Sequence, residues 1–321
     1  MDNKWRVRLI ELITCLICLG LLASLVLPGV QVSRSPSRRT ICRNRLKQLV
    51  TAATTFETSR GYFPGFQNRG ISETKPGTWA IYIFPYMEQE PLVEEWKRTG
   101  KTDVFVSTMV CPSSTVEEFD GPLNNYVVNA GYYPRVGDPG IYGADADRNG
   151  ISDYWDHPLY DLSNGVFHDR LNFPGVKMSA RHIKDGMSQT VLFSENIQAM
   201  PWDTGAKWSD AGDGPLKRMG TTFHWLYALE RHAPLPDNHK PTLLLPEFAR
   251  INGGLKETQW TPILARPSSH HPGGVNVAFG DGHVTFVSQD ISYHVWQALM
   301  TPNGKASDQP LRQFELSPTD Y

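Results

Sequence analysis

The chain has almost no net charge, few cysteines and none of the compact signatures by which common catalytic sites are recognised. Its 31 Lys and Arg against 33 Asp and Glu leave a formal charge of −2, which gives no electrostatic footprint for nucleic acid and no acidic tail. Four cysteines in 321 residues are too few for a disulfide-dense scaffold. Phosphate-loop and dinucleotide glycine patterns are absent, and Ser194-Glu195 is not a Gly-x-Ser-x-Gly elbow. His168, His182, His224, His232 and His239 are scattered without His-x-x-x-His or Cys/His spacing. Glycine (27), proline (24) and aromatic residues (11%) are plentiful, which favours short strands and long ordered loops over a helical bundle. The length allows one elaborated domain with an appendage, or two small domains.

One long apolar run stands out. Leu9 to Leu27 is interrupted only by Glu11, Thr14 and Ser24, close to the ~20 residues that cross a bilayer. Leu27-Pro28-Gly29 is a poor signal-cleavage site, so an uncleaved anchor is expected. A carboxylate at Glu11 costs a few kcal/mol in a span unless it is paired or snorkels to the interface beside Arg8. The run Ser33 to Arg39 is polar and basic, and Pro36 predicts a break or a kink. Ile41, Leu46, Leu49, Val50, Ala53 and Phe56 then recur at helical spacing, predicting an amphipathic helix to about Thr58. The expected organisation is a basic tail (1–8), a transmembrane helix (9–30), a basic linker (31–40) and an outward-facing domain (41–321). Counting Lys and Arg on the two sides of the span argues for the opposite orientation. A short basic tail that stays inside and a folded domain that is translocated despite its charges outweigh that count. Within the span, Cys15 and Cys18 read as helix-packing residues.

The middle of the chain carries a ligand-binding pattern. Asp145, Asp147, Asn149, Asp153 and Asp156 occupy positions 1, 3, 5, 9 and 12 of a loop with Gly150 at position 6. Oxygen ligands at these spacings, with the Ile151 carbonyl, wrap a backbone around calcium. The loop ends in Asp where an EF-hand has Glu, so it is closer to the calcium loops of extracellular modules. An Asp/Asn-rich turn without metal is the other reading.

Towards the C-terminus the alternation of Val275, Val277 and Phe279, then Gly280-Asp281-Gly282, then Val284, Phe286 and Ser288 predicts a β-hairpin over 275–288. Its turn accounts for Asp281 and Gly282, with His271 fixing the start of the entering strand. A second reading gathers His271, Asp281 and His283 into a metal or acid/base cluster. Glu195 ends the run Val191-Leu192-Phe193 and reads as a strand-end glutamate bonded to a loop, with a catalytic carboxylate as the alternative. Trp202, Trp208, Trp225 and Trp260 are suited either to stacking on sugars or to covering a sheet.

Several of these segments, taken in order, resemble the bacterial prepilin-type processing-associated family. Glu11 and Pro28 are laid out as in type IV prepilins. Cys42-Arg43-Asn44-Arg45-Leu46-Lys47-Gln48, Cys111-Pro112, Leu123 to Gly131, Asp185-Gly186-Met187-Ser188-Gln189-Thr190 and Leu299 to Pro302 are similar to its internal marks. His271, nine residues, then Asp281-Gly282 is similar to its closing signature. The resemblance implies an α+β, pilin-like fold in which a long N-terminal helix packs on an antiparallel sheet with large loop insertions, anchored in the bacterial inner membrane. It implies pilin-like or secretion-system subunits as partners and names no substrate. Cys42 and Cys111 fall in matching segments, to form either a disulfide in an outward-facing domain or two buried thiols. Arg6 stands where the glycine before a prepilin cleavage point belongs, so the leader is expected to remain attached. The leading expectation is thus a non-enzymatic assembly protein. A calcium-dependent surface module for glycan or protein, and a metal-dependent hydrolase using His271, Asp281 and His283, are the alternatives.

Overall fold

The computed structural model describes residues 3–69, 76–100, 104–114, 122–132, 161–203, 219–226, 249–255, 265–312, 314–317 and 321, with no side chain described at 3, 4, 23 or 25–36. A single helix, α1 (Asn3–Arg60), runs for 58 residues. The expected break at Pro36 and the separate linker over 31–40 are therefore replaced by continuous helix. Proline removes one backbone donor but its fixed φ is helical, and the segment that follows is held by packing. The buried stripe of α1 is Cys42, Leu46, Leu49, Val50, Ala53 and Phe56, spaced for one helix face. It starts at Cys42, because Ile41 is 40% exposed.

That stripe lies on a five-stranded sheet of order β6-β3-β5-β7-β8, formed by β3 (Tyr126–Tyr132), β5 (Val191–Glu195), β6 (Thr222–Trp225), β7 (Gly274–Phe279) and β8 (Val284–Ser288). The fold is α+β and mainly antiparallel, but β3 and β6 pair in parallel. A small second sheet, β1 (Gln67–Asn68), β2 (Gly77–Thr78) and β4 (Asp169–Arg170), also contains one parallel pair. Two short helices, α2 (Trp79–Ile83) and α3 (Glu90–Thr99), follow β2.

Strand alternation divides the main sheet between two cores. Tyr126, Val128, Phe193 and Ala278 face the α1 side. Val127, Val191, Val275, Val277 and Phe279 face the other, which α4 (Tyr293–Met300) covers with Tyr293, Trp296 and Leu299. The β5/β7 register shifts between Val191 and Phe193, so Leu192 and Phe193 both turn to the helix side. The expected hairpin is present. Gly282 has φ +91° in its turn, and a Cβ on Gly274 would lie 2.0 Å from the Val287 carbonyl oxygen.

Two of the tryptophans considered for sugar stacking are core residues. Trp202 is fully buried and meets the Phe84 ring edge-on at 4.9 Å. Trp225 is fully buried, stacks on Tyr132 and donates its indole N–H to the Asn164 carbonyl. Trp208 and Trp260 lie outside the described residues.

Two predictions concern this framework. Gly282→Ala meets open space and pays only for a left-handed L-residue, about 1–2 kcal/mol; Gly274→Ala must displace the β8 backbone and costs more. Urea unfolding of the two variants measures the order, and a reversed order contradicts this account of the hairpin. The second concerns His224, which burial pushes down to about 3. Below pH ~6.5 the unfolded chain takes up a proton that the folded chain refuses, so stability falls as pH drops from there towards 3, with a slope approaching about 1.4 kcal/mol per pH unit. His224→Gln should flatten that slope in denaturant melts between pH 7 and 4.

Candidate functional site

Four residues remote in sequence converge beneath the N-terminal side of β7. Cys42 comes from the buried stripe of α1, and Cys111 from the turn that follows the short 3-10 helix Ser107–Met109, where Ser114 N donates to the Cys111 carbonyl at 2.9 Å. Glu195 ends β5, and His271 stands in the turn that leads into β7. Their ligand-type atoms all lie within 4.8 Å of one another. Relative exposures are 0% for Cys42, 2% for Cys111, 1% for Glu195 and 4% for His271. Cys42 and Cys111 are joined as a disulfide with Cα atoms 5.5 Å apart.

The polar groups are tightly arranged. His271 Nε2 lies 3.2 Å from Glu195 Oε1 and 3.6 Å from Cys111 Sγ. Glu195 Oε2 accepts from the Asn276 backbone N–H at 2.8 Å, and the Asn276 side-chain amide donates to both carboxylate oxygens at 3.1 Å. The turn that carries His271 is fixed by Ser269, whose hydroxyl accepts from His271 N at 3.0 Å and donates to the Gly274 carbonyl at 2.6 Å. On the opposite side the Cys111 N–H donates to Asn125 Oδ1 at 2.8 Å, and Arg45 of α1 donates to the Val110 carbonyl.

Next to the carboxylate, Tyr126 is the Cα partner of Glu195 across β3 and β5. Burial raises the Tyr126 pKa well above its ordinary value, and the Glu195 charge raises it further. The Tyr126 hydroxyl and Asn276 Oδ1 are buried without a hydrogen-bond partner among the described residues. Arg39 of α1 interacts electrostatically with Glu195 while its guanidinium sits 3.5 Å over the Phe286 ring. Arg43 donates to the Val284 carbonyl at 3.0 Å. Arg39 and Arg43 thus hold α1 to β8, and Arg45 holds it to the Cys111 turn.

The other expected constellations are arranged differently. His271 and Asp281 stand at opposite ends of β7, whose six residues span roughly 20 Å. The proposed His271, Asp281 and His283 cluster is therefore not assembled. Asp281 and His283 pair by themselves at 2.6 Å in the exposed turn, and His283 stacks on Phe279. His168 and His182 make local bonds, to the Gly165 carbonyl at 3.0 Å and to Ser179 N at 3.1 Å. His232, His239 and the calcium-type loop, with Asp145, Asp147, Asn149, Ile151, Asp153 and Asp156, lie outside the described residues. Glu11 is exposed on α1, and Pro28 lies within the same helix.

Glu195 is the residue whose place the sequence reading underweighted. It bonds to a neighbouring strand and a histidine, not only to a loop. A usable signal existed, since an acidic side chain ending a wholly buried strand must find partners, and β7, the next strand in the sheet, is preceded by His271.

With the disulfide closed, the cluster is a rigid tie between α1, β5, β7 and the Cys111 turn. The bond spans 69 residues, and its reduction is expected to cost up to about 4 kcal/mol. His271→Ala removes one donor from the carboxylate and should cost about 1–3 kcal/mol. Glu195→Ala strands the Asn276 donors as well as His271 and should cost more. Denaturant melts of the oxidised and reduced chain and of both variants test this; a neutral Glu195→Ala contradicts it.

Comparison with curated proteins and with solved structures finds no match. A family model described as "Protein of unknown function (DUF1559)" matches residues 31–293, a stretch that takes in Cys42, Cys111, Glu195, His271 and the whole five-stranded sheet. The chain belongs to this DUF1559 family.

Proposed function

We propose that the protein is a membrane-anchored, outward-facing, pseudopilin-like structural or assembly component. One observation carries this reading: α1 lives in two environments. Its C-terminal part is packed on the sheet through the Cys42 to Phe56 stripe, whereas its N-terminal part leaves large apolar side chains uncovered on every face. Ile10, Leu12, Leu16, Ile17, Leu19 and Leu22 are 57–63% exposed. A helix apolar all round requires a lipid or protein surround.

The polar residues in this stretch behave accordingly. Thr14 Oγ1 donates to the Ile10 carbonyl and Ser24 Oγ to the Leu21 carbonyl, each at 2.8 Å, leaving no hydroxyl that needs water. Among the described residues no helix is long and apolar enough to cross a membrane. The apolar run continues from Leu25 to Leu27, in the part of α1 whose side chains are not described, so the span rests on the sequence. A disulfide persists in oxidising compartments, which supports an outward-facing domain. The long helix laid on a mainly antiparallel sheet supports the pilin-like reading, together with the prepilin-type marks at Glu11 and Pro28. Calcium at 145–156 belongs to the same proposal on loop spacing alone.

Membrane association is the direct test. The full chain should stay with the membrane pellet through alkaline carbonate extraction. A Leu12→Lys, Leu16→Lys, Leu19→Lys variant should shift to the soluble fraction with its folded domain intact. Release of the unaltered chain by carbonate would defeat the anchor reading.

A further inference from the structure

We infer that Cys42, Cys111, Glu195 and His271 form a tetrahedral zinc site when the Cys42–Cys111 disulfide is reduced, so that the chain exchanges a bound ion for a disulfide according to its redox state. The inference does not depend on the membrane reading. Its basis is that four side chains of zinc-ligating type, from four separate segments, aim their donor atoms at one buried point.

The spacing fits an ion. A tetrahedral zinc with ordinary bond lengths sets sulfur-to-nitrogen edges of about 3.6 Å and nitrogen-to-oxygen edges of about 3.3 Å. Cys111 Sγ to His271 Nε2 is 3.6 Å, and His271 Nε2 to Glu195 Oε1 is 3.2 Å. On reduction the two sulfurs need only separate to about 3.8 Å, the sulfur-to-sulfur edge of the same tetrahedron.

The geometry also excludes a catalytic relay. In a nucleophile, histidine and carboxylate triad the two ring nitrogens have different partners. Here the same Nε2 faces both the sulfur and the carboxylate, the arrangement of ligands around a common centre. A set with two thiolates and an imidazole selects zinc over calcium or magnesium.

The surroundings supply an outer shell. Asn276 clamps the Glu195 carboxylate through its backbone and side-chain N–H groups, as carboxylate ligands are usually oriented. The Tyr126 hydroxyl and Asn276 Oδ1, both buried and unpartnered among the described residues, are polar atoms left beside this point. Two thiolates and a carboxylate around a divalent ion leave one net negative charge, and Arg39 already interacts with Glu195.

The exchange balances. An incoming disulfide takes two electrons from the zinc-bound thiolates, the Cys42–Cys111 bond forms, two thiolates of the oxidant leave, and the zinc ion passes to solvent. In reverse, a dithiol opens the bond by thiol–disulfide exchange, and zinc displaces the two thiol protons.

The test uses the full chain in detergent with Cys15→Ser and Cys18→Ser, reduced with a phosphine and titrated with cobalt(II), then zinc(II). One equivalent of cobalt should bind with thiolate charge-transfer absorption and the visible bands of a tetrahedral ion; zinc should displace it, and diamide should release the metal as the disulfide forms. His271→Ala and Glu195→Gln should each weaken binding at least tenfold, and Cys42→Ser should abolish the thiolate band. Should the reduced chain lose its fold, zinc must restore its circular dichroism. The inference is overturned by a reduced chain that binds no metal whether folded or not. It is equally overturned by metal that binds the oxidised chain or the Cys42→Ser variant just as tightly.

Discussion

A carboxyl group buried at the end of β5 is the constraint around which the sheet and its helix are arranged. Glu195 is 1% exposed, and a group of that kind without donors carries a desolvation cost comparable to the whole stability of a domain. Among the described residues, its donors come from other elements. Asn276 belongs to β7, and His271 to the turn before β7, which Ser269 holds closed. Meeting the needs of one side chain therefore fixes the β5/β7 junction. The disulfide then ties this junction to α1 and to the Cys111 turn. Two nonpolar cores of ordinary kind fill in on either side.

Helix α1 follows the same logic in reverse. Its C-terminal part has one apolar stripe and one sheet to cover, so burial and polarity are sorted by face. Its N-terminal part has no such sorting, and its hydroxyls are satisfied by their own helix. The helix runs on through Pro28 and Pro36, although each removes one backbone donor, and so joins the two regimes. The face that carries Cys42 thus belongs to the same helix as the apolar end, three residues beyond Arg39, which interacts with Glu195.

Much of the architecture was legible from local pattern. The helical spacing of Leu46, Leu49, Val50 and Ala53, the alternation of Val275, Val277 and Phe279, and the positive-φ demand at Gly282 each report on neighbours a few residues away. The helix break did not follow, because the Pro36 rule weighs a lost donor and not the packing that holds the following turns. The cluster was legible only in fragments. Cys42 and Cys111 were linked through family-like segments, while Glu195 and His271 were read separately. Their meeting depends on sheet order, and a β5/β7 neighbourhood with a strand crossover between distant segments leaves no periodic trace. Trp202 and Trp225 were ambiguous for a similar reason, since an aromatic suited to a sugar face is equally suited to a core.

The spacing between His271 and Asp281 acquires a physical meaning from this arrangement. The turn at 280–282 sets the register of β7 against β8, pairing Ala278 with Val284 and Gly274 with Ser288. It thereby decides which β7 residues face α1 and which face α4. Because successive strand residues point to opposite faces, adding or removing one residue between the turn and His271 exchanges those faces. It would also carry Asn276 and His271 away from Glu195, and an added residue would bring the Val275 side chain to the place where Gly274 passes the Val287 carbonyl. The exposed Asp281-Gly282 end and the buried His271 end are thus two ends of one ruler. The turn end sets the register, and the histidine end is where that register is used.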